Sequence, residues 1–124
     1  MKHLIALPLI ALAACSSPRA SDYADAGSTA AFMAQGHVEA NPLIASAGNA
    51  APIAAIGMKV LTRSAIDNAP ITDEQRKNIH EGMDTVNWAA FCNNVVLLAT
   101  QELATRLIAA AGCAVAHRYS LGVE

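Results

Sequence analysis

The sequence contains few aromatic residues and few charges. Among 124 residues there are one Trp, two Tyr and two Phe, and 15% of the residues are charged. Proteins that bind nucleic acid use clustered basic residues and aromatic side chains that stack on bases, and this sequence has neither feature. It also lacks the Gly-x-Ser-x-Gly element, the phosphate loop, the dinucleotide fingerprint and the Cys-x-x-Cys pair. The composition therefore gives no indication of a nucleic-acid partner or of these enzyme classes.

Runs of β-branched residues are also scarce, whereas alanine dominates the apolar fraction. Alanine has the highest helix propensity, and strands favour β-branched and aromatic residues. The sequence therefore predicts an all-α fold, a small bundle of three to four helices. A chain of this length is sufficient for one domain with a modest core.

The N-terminal segment carries the clearest signal. Lys2 precedes an apolar stretch from Leu4 to Ala14, which is shorter than the roughly 20 residues that span a bilayer and is typical of a signal peptide. The stretch ends in Leu12-Ala13-Ala14-Cys15, which resembles the lipobox of bacterial lipoprotein precursors. The resemblance implies cleavage after Ala14, a diacylglyceryl group on the Cys15 thiol, and acylation of the new amine.

We therefore expect a cleaved lipoprotein signal peptide over residues 1–14, a lipidated tether over 15–20, and a helical bundle domain over 21–124. Ser16 after the cysteine resembles the outer-membrane sorting signal of lipoproteins from enteric-type bacteria. The expected location is the cell envelope, with anchoring at the outer membrane and the domain facing the periplasm. Two or three acyl chains make release from a bilayer negligible. We expect no cofactor other than this covalent lipid.

Capping residues divide the remaining chain into helices. Ser21 is expected to cap the first helix, which ends at Gly36, and Asn41-Pro42 fits the start of a short helical turn. Thr72 to Gln75 reads as a capping box. The expected long helices cover about 21–35, 50–66, 72–99 and 100–118, followed by a non-helical tail over 119–124.

Apolar periodicity predicts which helix faces point inwards. In the second long helix we expect an apolar core face opposite a charged line; the core residues are Ile53, Ile56, Val60 and Leu61, and the charged line is Lys59, Arg63 and Asp67. In the first half of the third, the expected core residues are Ile79, Met83 and Val86, and the expected outer residues are Arg76, Lys77, His80, Glu81 and Asp84.

Cys92 and Cys113 are the thiols that remain after lipidation of Cys15. A helix break near Thr100 would offset them by about five residues, or roughly 7 Å of helix rise. Disulfides need Cα atoms within about 7 Å. The sequence therefore favours two buried, unlinked thiols, with a disulfide as the alternative.

A second resemblance covers about twenty residues after the tether. Asp25-x3-Thr29, Gly36 and Glu39-x-Asn41-Pro42-Leu43 are similar to the signature of a family of small uncharacterised helical proteins of bacteria and phages, many with several membrane helices. The resemblance implies a helical bundle and no reaction.

These residues predict a polar cluster at one end of the first two helices, formed by Asp25, Thr29, Glu39, Asn41 and Lys59. Because buried polar groups must be paired, we expect a structural clamp in which Glu39 or Asp25 meets Lys59 or Arg63. An ion or ligand site is the alternative.

His80-Glu81-Gly82-Met83-Asp84 is similar to the zinc motif H-E-x-x-H with Asp in the last place. His80 and Asp84 share a helix face, but the motif needs a third ligand from His37 or His117. We therefore expect a solvated charged face and no metal.

The leading hypothesis is a non-enzymatic, lipid-anchored envelope protein with an interaction or structural role. Its acyl chains would contact the membrane, and an envelope protein is the candidate partner. Phage-related lipoproteins belong to this class. The alternatives are a small integral membrane bundle with a polar core and an envelope metalloenzyme.

Overall fold

The computed structural model describes residues 17–38 and 41–122. These residues form helices and no strand, so the all-α prediction is confirmed. The predicted signal peptide, Cys15 and Glu39 lie outside the described residues. The α-helices are α1 (Ala20–Ala34), α2 (Pro42–Ala45), α3 (Ala51–Asp67), α4 (Asp73–Ala99) and α5 (Leu103–Ser120), with a 3-10 turn at Gly48–Ala50.

Helix α4 organises the bundle because it is the longest element. Its 27 residues correspond to about 40 Å of helix. Helix α1 packs against both α3 and α4, and α5 packs along α4. The short α2 contacts α3. The candidate functional site described below therefore lies in the interior where α1, α3 and α4 meet.

Most predicted helix ends are found where capping chemistry placed them. Thr72 Oγ1 accepts a hydrogen bond from the Gln75 backbone N–H at 3.1 Å, and Gln75 Oε1 accepts one from the Thr72 N–H at 2.9 Å. Asn41 caps α2 through the Leu43 N–H at 3.1 Å. Gly36 follows α1 with a φ of 86°, a conformation that glycine adopts without steric cost.

Three helix ends differ from the prediction. Arg19, not Ser21, is the N-cap of α1, because the Asp22 carboxylate accepts the Arg19 backbone N–H at 2.8 Å. Ser21 instead lies buried inside the first turn. Helix α5 begins at Leu103 and not at Thr100, whose backbone is extended, and it continues through Ser120.

The prediction for the inner face of α3 is confirmed for Val60, which is buried, but it is wrong for Ile53 and for Arg63. Ile53 is 76% exposed, whereas Arg63, expected on the solvent side, is 1% exposed. Three small residues of α3 are also buried: Ala51, Ala55 and Ser64. Hydropathy periodicity identifies two contrasting faces, but a charged face can turn inwards when every charge on it finds a partner.

Helix α4 shows the same inversion over its first half. Ile79 and Val86 are 43% and 67% exposed, whereas His80, Asp84 and Asn87 are buried. The apolar residues buried in the described part of the chain are few and mostly small: Ala26, Ala51, Ala55, Val60 and Leu97. The centre of the bundle is therefore polar, and much of the large apolar surface faces outwards.

Helix α5 has no buried residue along its whole described length. Its exposed large apolar side chains are Leu103, Leu107, Ile108, Val115 and Tyr119. None of the helices in the described ranges has the length and apolarity required to cross a membrane.

Cys92 of α4 and Cys113 of α5 form a disulfide, with Cα atoms 6.4 Å apart. The expectation of two unlinked thiols is therefore wrong. Cys92 lies seven residues before the end of α4, and Cys113 lies ten residues after the start of α5. This offset of three residues, smaller than the predicted five, corresponds to about 4.5 Å of helix rise. The later start of α5 explains the difference.

Reduction of this disulfide should lower the free energy of unfolding by about 3 kcal/mol, because the bond closes a loop with a sequence separation of 21 residues and restricts the unfolded chain. Urea unfolding with and without reductant measures the change. The variant Cys92→Ser/Cys113→Ser is the control, and its midpoint should match that of the reduced protein. An unchanged midpoint on reduction of the wild type would contradict the assignment.

Candidate functional site

The polar interior centres on one arginine between two carboxylates, which we call the ion cluster: Arg63 of α3, Asp22 of α1 and Asp84 of α4. Arg63 Nε and Nη2 donate to the two oxygens of Asp22 at 2.8 and 3.0 Å. Nη2 also donates to Asp84 Oδ1 at 2.6 Å. The cluster therefore joins three helices through one guanidinium group, with the paired geometry that arginine forms with carboxylates.

Both carboxylates accept further hydrogen bonds, so that Asp22 accepts four in all and Asp84 accepts three. Asp22 accepts from the Arg19 backbone N–H at 2.8 Å and from Asn87 Nδ2 at 2.7 Å. Asp84 accepts from Arg19 Nη1 at 2.7 Å and from the Ser21 hydroxyl at 2.6 Å. This accounts for the burial of charges that would otherwise be costly to remove from water.

The pKa values follow from this bonding. Burial by itself raises the pKa of Asp22, but hydrogen bonds from Arg63 and the Arg19 N–H outweigh it and hold the pKa below the ordinary 3.8. Burial likewise opposes the hydrogen bonds from Ser21, Arg19 and Arg63 that lower the pKa of Asp84. Burial lowers the pKa of Arg63, and the two carboxylates overcome this and raise it. The cluster is therefore ionised at neutral pH.

His80 extends the ion cluster towards the end of α3. Arg63 Nη1 lies 3.2 Å from His80 Nδ1, and His80 Nε2 lies 2.7 Å from Asp67 Oδ1. A guanidinium can only donate, so Nδ1 accepts and we assign the ring proton to Nε2, which donates to Asp67. Both ring nitrogens thus have partners.

The expectation that His80 and Asp84 form a solvated face is wrong, because both are buried. Glu81 Oε1 lies 3.6 Å from Lys77 Nζ, and the Glu81 side chain is 15% exposed. The described residues contain no group of three or more histidine, cysteine, aspartate or glutamate side chains placed to hold a metal.

Four of the five residues predicted to form a polar cluster line one cavity of about 360 Å³: Asp25, Thr29, Asn41 and Lys59. Lys59 forms an ion pair with Asp25 and donates to Asn87 Oδ1 at 2.7 Å. Phe32, Val86 and Leu97 add apolar walls. The fifth predicted residue, Glu39, lies outside the described residues. A ligand-binding role for this cavity stays a prediction.

Asn87 connects the cavity to the ion cluster. Its amide nitrogen donates to Asp22, and its amide oxygen accepts from Lys59. The two sets of charges therefore form one network that runs through the bundle. Sequence reasoning placed Lys59 and Arg63 on one line of α3, but it did not identify Asp22, Asp84 and Asn87 as their partners. His80, Asp84 and Asn87 share one face of α4, and their spacing is the feature of the sequence that could have identified Asp84 and Asn87 as buried partners.

No protein-family model matches the chain, and neither a curated protein nor a solved structure shows significant similarity to it. The site is therefore interpreted from its geometry.

The lowered pKa values of Asp22 and Asp84 predict acid sensitivity. A carboxylate with a depressed folded-state pKa adds stability above its unfolded pKa, and this contribution is lost as the pH falls through the folded value. Arg63 stays charged throughout this range. The urea concentration at the unfolding midpoint should be constant near neutral pH and should decrease once the pH is lowered below about 4. A midpoint that is unchanged down to about pH 2 would contradict the ion cluster.

Proposed function

We propose that the protein is a lipid-anchored cell-envelope protein of the outer membrane, facing the periplasm, with a non-enzymatic interaction or structural role. The observation that carries the proposal is the lipobox-like Leu12-Ala13-Ala14-Cys15, followed closely by a folded domain. Helix α1 begins at Ala20, five residues after Cys15. A chain extends at most about 3.3–3.6 Å per residue. The tether therefore reaches no more than about 18 Å, which would hold the bundle against the bilayer.

The ion cluster supports a structural role for the charged interior. Asp84 accepts hydrogen bonds from Arg19, Ser21 and Arg63, and both ring nitrogens of His80 have side-chain partners. A group that is held in this way is poorly placed to exchange protons with a substrate. The network instead ties α1, α3 and α4 into one rigid unit.

Helix α5 supports the interaction role. It is held to α4 by the disulfide and presents a row of large apolar side chains, including Leu107, Ile108 and Val115, to the outside. Contiguous apolar surface is typical of sites that contact a partner or a membrane.

A second candidate is a small integral membrane bundle with a polar core. The observation that favours it is the inverted arrangement of α3 and α4, with charges inside and apolar residues such as Ile53 and Val86 outside. The helices in the described ranges do not have the length and apolarity of spanning helices.

Substitution of Cys15 separates these candidates. In a bacterial host, the wild type should incorporate labelled palmitate and stay in the membrane pellet after a carbonate wash, whereas Cys15→Ser should lose the label and become soluble and helical. Cys92→Ser is the matched control, which should keep both the label and the pellet. A palmitate label that persists in Cys15→Ser would contradict lipidation at this residue. Unlabelled, folded Cys15→Ser in the pellet would favour the integral bundle.

A further inference from the structure

A second cavity, of about 530 Å³, opens at the end of the bundle where α1 begins and where the chain passes from α3 to α4. We call it the cationic cavity, because four cationic side chains and two carboxylates line it: Arg19, Arg63, Arg76 and Lys77, with Asp67 and Asp73. Asp22 and Asp84, which neutralise Arg63, do not line it. The side chains that line the cavity therefore carry two more positive than negative charges, while the carboxylates of Asp22, Asp84 and Glu81, which pair with Arg19, Arg63 and Lys77, lie behind this wall.

Two of these cations are fixed in place. Arg63 is 1% exposed and is held by the ion cluster. Arg76 donates to the backbone carbonyls of Ile66 and Ala69 at 3.4 and 3.2 Å, and to Asp73 at 2.7 Å. Guanidinium groups that are already ordered lose little conformational freedom on binding an anion.

The other two cations have donors to spare. Arg19 uses Nη1 to contact Asp84, while its Nε and Nη2 have no partner among residues 17–38 and 41–122. The Lys77 side chain is 74% exposed and lies 3.6 Å from Glu81. Two ordered guanidinium groups beside two adaptable cations are suited to an oxyanion with several acceptor oxygens.

The location of the cationic cavity indicates the class of oxyanion. Ser17 and Pro18 form part of its wall, and Ser17 is two residues from Cys15. Two residues span at most about 7 Å. If Cys15 carries acyl chains, the cavity therefore lies at the level of the phosphate groups of the bilayer.

We propose that the cationic cavity binds a phosphate group, and that its source is the headgroup of an anionic phospholipid in the anchoring membrane. The choice of the headgroup over free phosphate rests on the proposed function, whereas the recognition of phosphate rests on the cavity alone. A bound headgroup would orient the bundle on the bilayer, which the acyl chains of Cys15 cannot do by themselves.

Calorimetric titration of the full chain in neutral detergent tests the site, with inorganic phosphate as the first probe. Short-chain phosphatidylglycerol and phosphatidylcholine of equal chain length are the second and third probes. Phosphate should bind, and Arg76→Gln/Lys77→Gln should weaken it about tenfold, since each lost charged hydrogen bond is costly. Arg118→Gln, which removes a charge from α5 away from the cavity, should leave the affinity unchanged.

Lys77→Gln alone covers the case in which the double variant fails to fold. Lys77 is exposed and weakly paired, so its loss should cost little stability and weaken phosphate binding about threefold. No binding of inorganic phosphate, or equal affinity in the wild type and Lys77→Gln, would overturn the proposal. If phosphatidylglycerol binds more tightly than the other two probes, the result supports a lipid headgroup as the source of the phosphate. Equal binding of all three probes would overturn the choice of the headgroup and would indicate that the ligand is free phosphate. Phosphate binding by a chain that proves unmodified at Cys15 would contradict the proposed function and leave the phosphate site.

Discussion

The pairing of Arg63 with Asp22 and Asp84 is the constraint on which the rest of the structure depends. A buried guanidinium is costly unless its donors are satisfied, and the two carboxylates come from two other helices. Their positions fix the rotation of α1, α3 and α4 about their own axes. Because these faces turn inwards, Ile53, Ile79 and Val86 turn outwards.

Such a network does not by itself imply high stability. Replacing a buried ion pair by apolar residues is often neutral or stabilising, whereas removing one partner costs about 3–5 kcal/mol. The ion cluster is better understood as a determinant of which faces meet. The disulfide between Cys92 and Cys113 then fixes α5, which has no buried residue of its own.

Local chemistry in the sequence was sufficient to predict the helices. The capping box at Thr72, the Asn41 cap and Gly36 depend on neighbouring residues, and all three are found as expected. Which face of each helix is buried could not be obtained in the same way, because it depends on partners distant in the sequence. The sequence around Arg63 predicts a surface residue, because its partners Asp22 and Asp84 are distant from it in the sequence. The pair of Asp25 and Lys59 was predictable because a resemblance had already pointed to Asp25. No resemblance pointed to Asn87, which joins that pair to the ion cluster.

A double-mutant cycle on Asp22 and Arg63 tests this account most directly. Urea unfolding would be measured for the wild type, Asp22→Asn, Arg63→Met and the double variant, with helical content checked by circular dichroism. If the ion cluster sets the interior, each single substitution should cost about 3–5 kcal/mol and the double variant little more than one of them, which corresponds to a coupling energy of about 3 kcal/mol. Additive effects of less than about 1 kcal/mol each, as for exposed side chains, would contradict a buried pair.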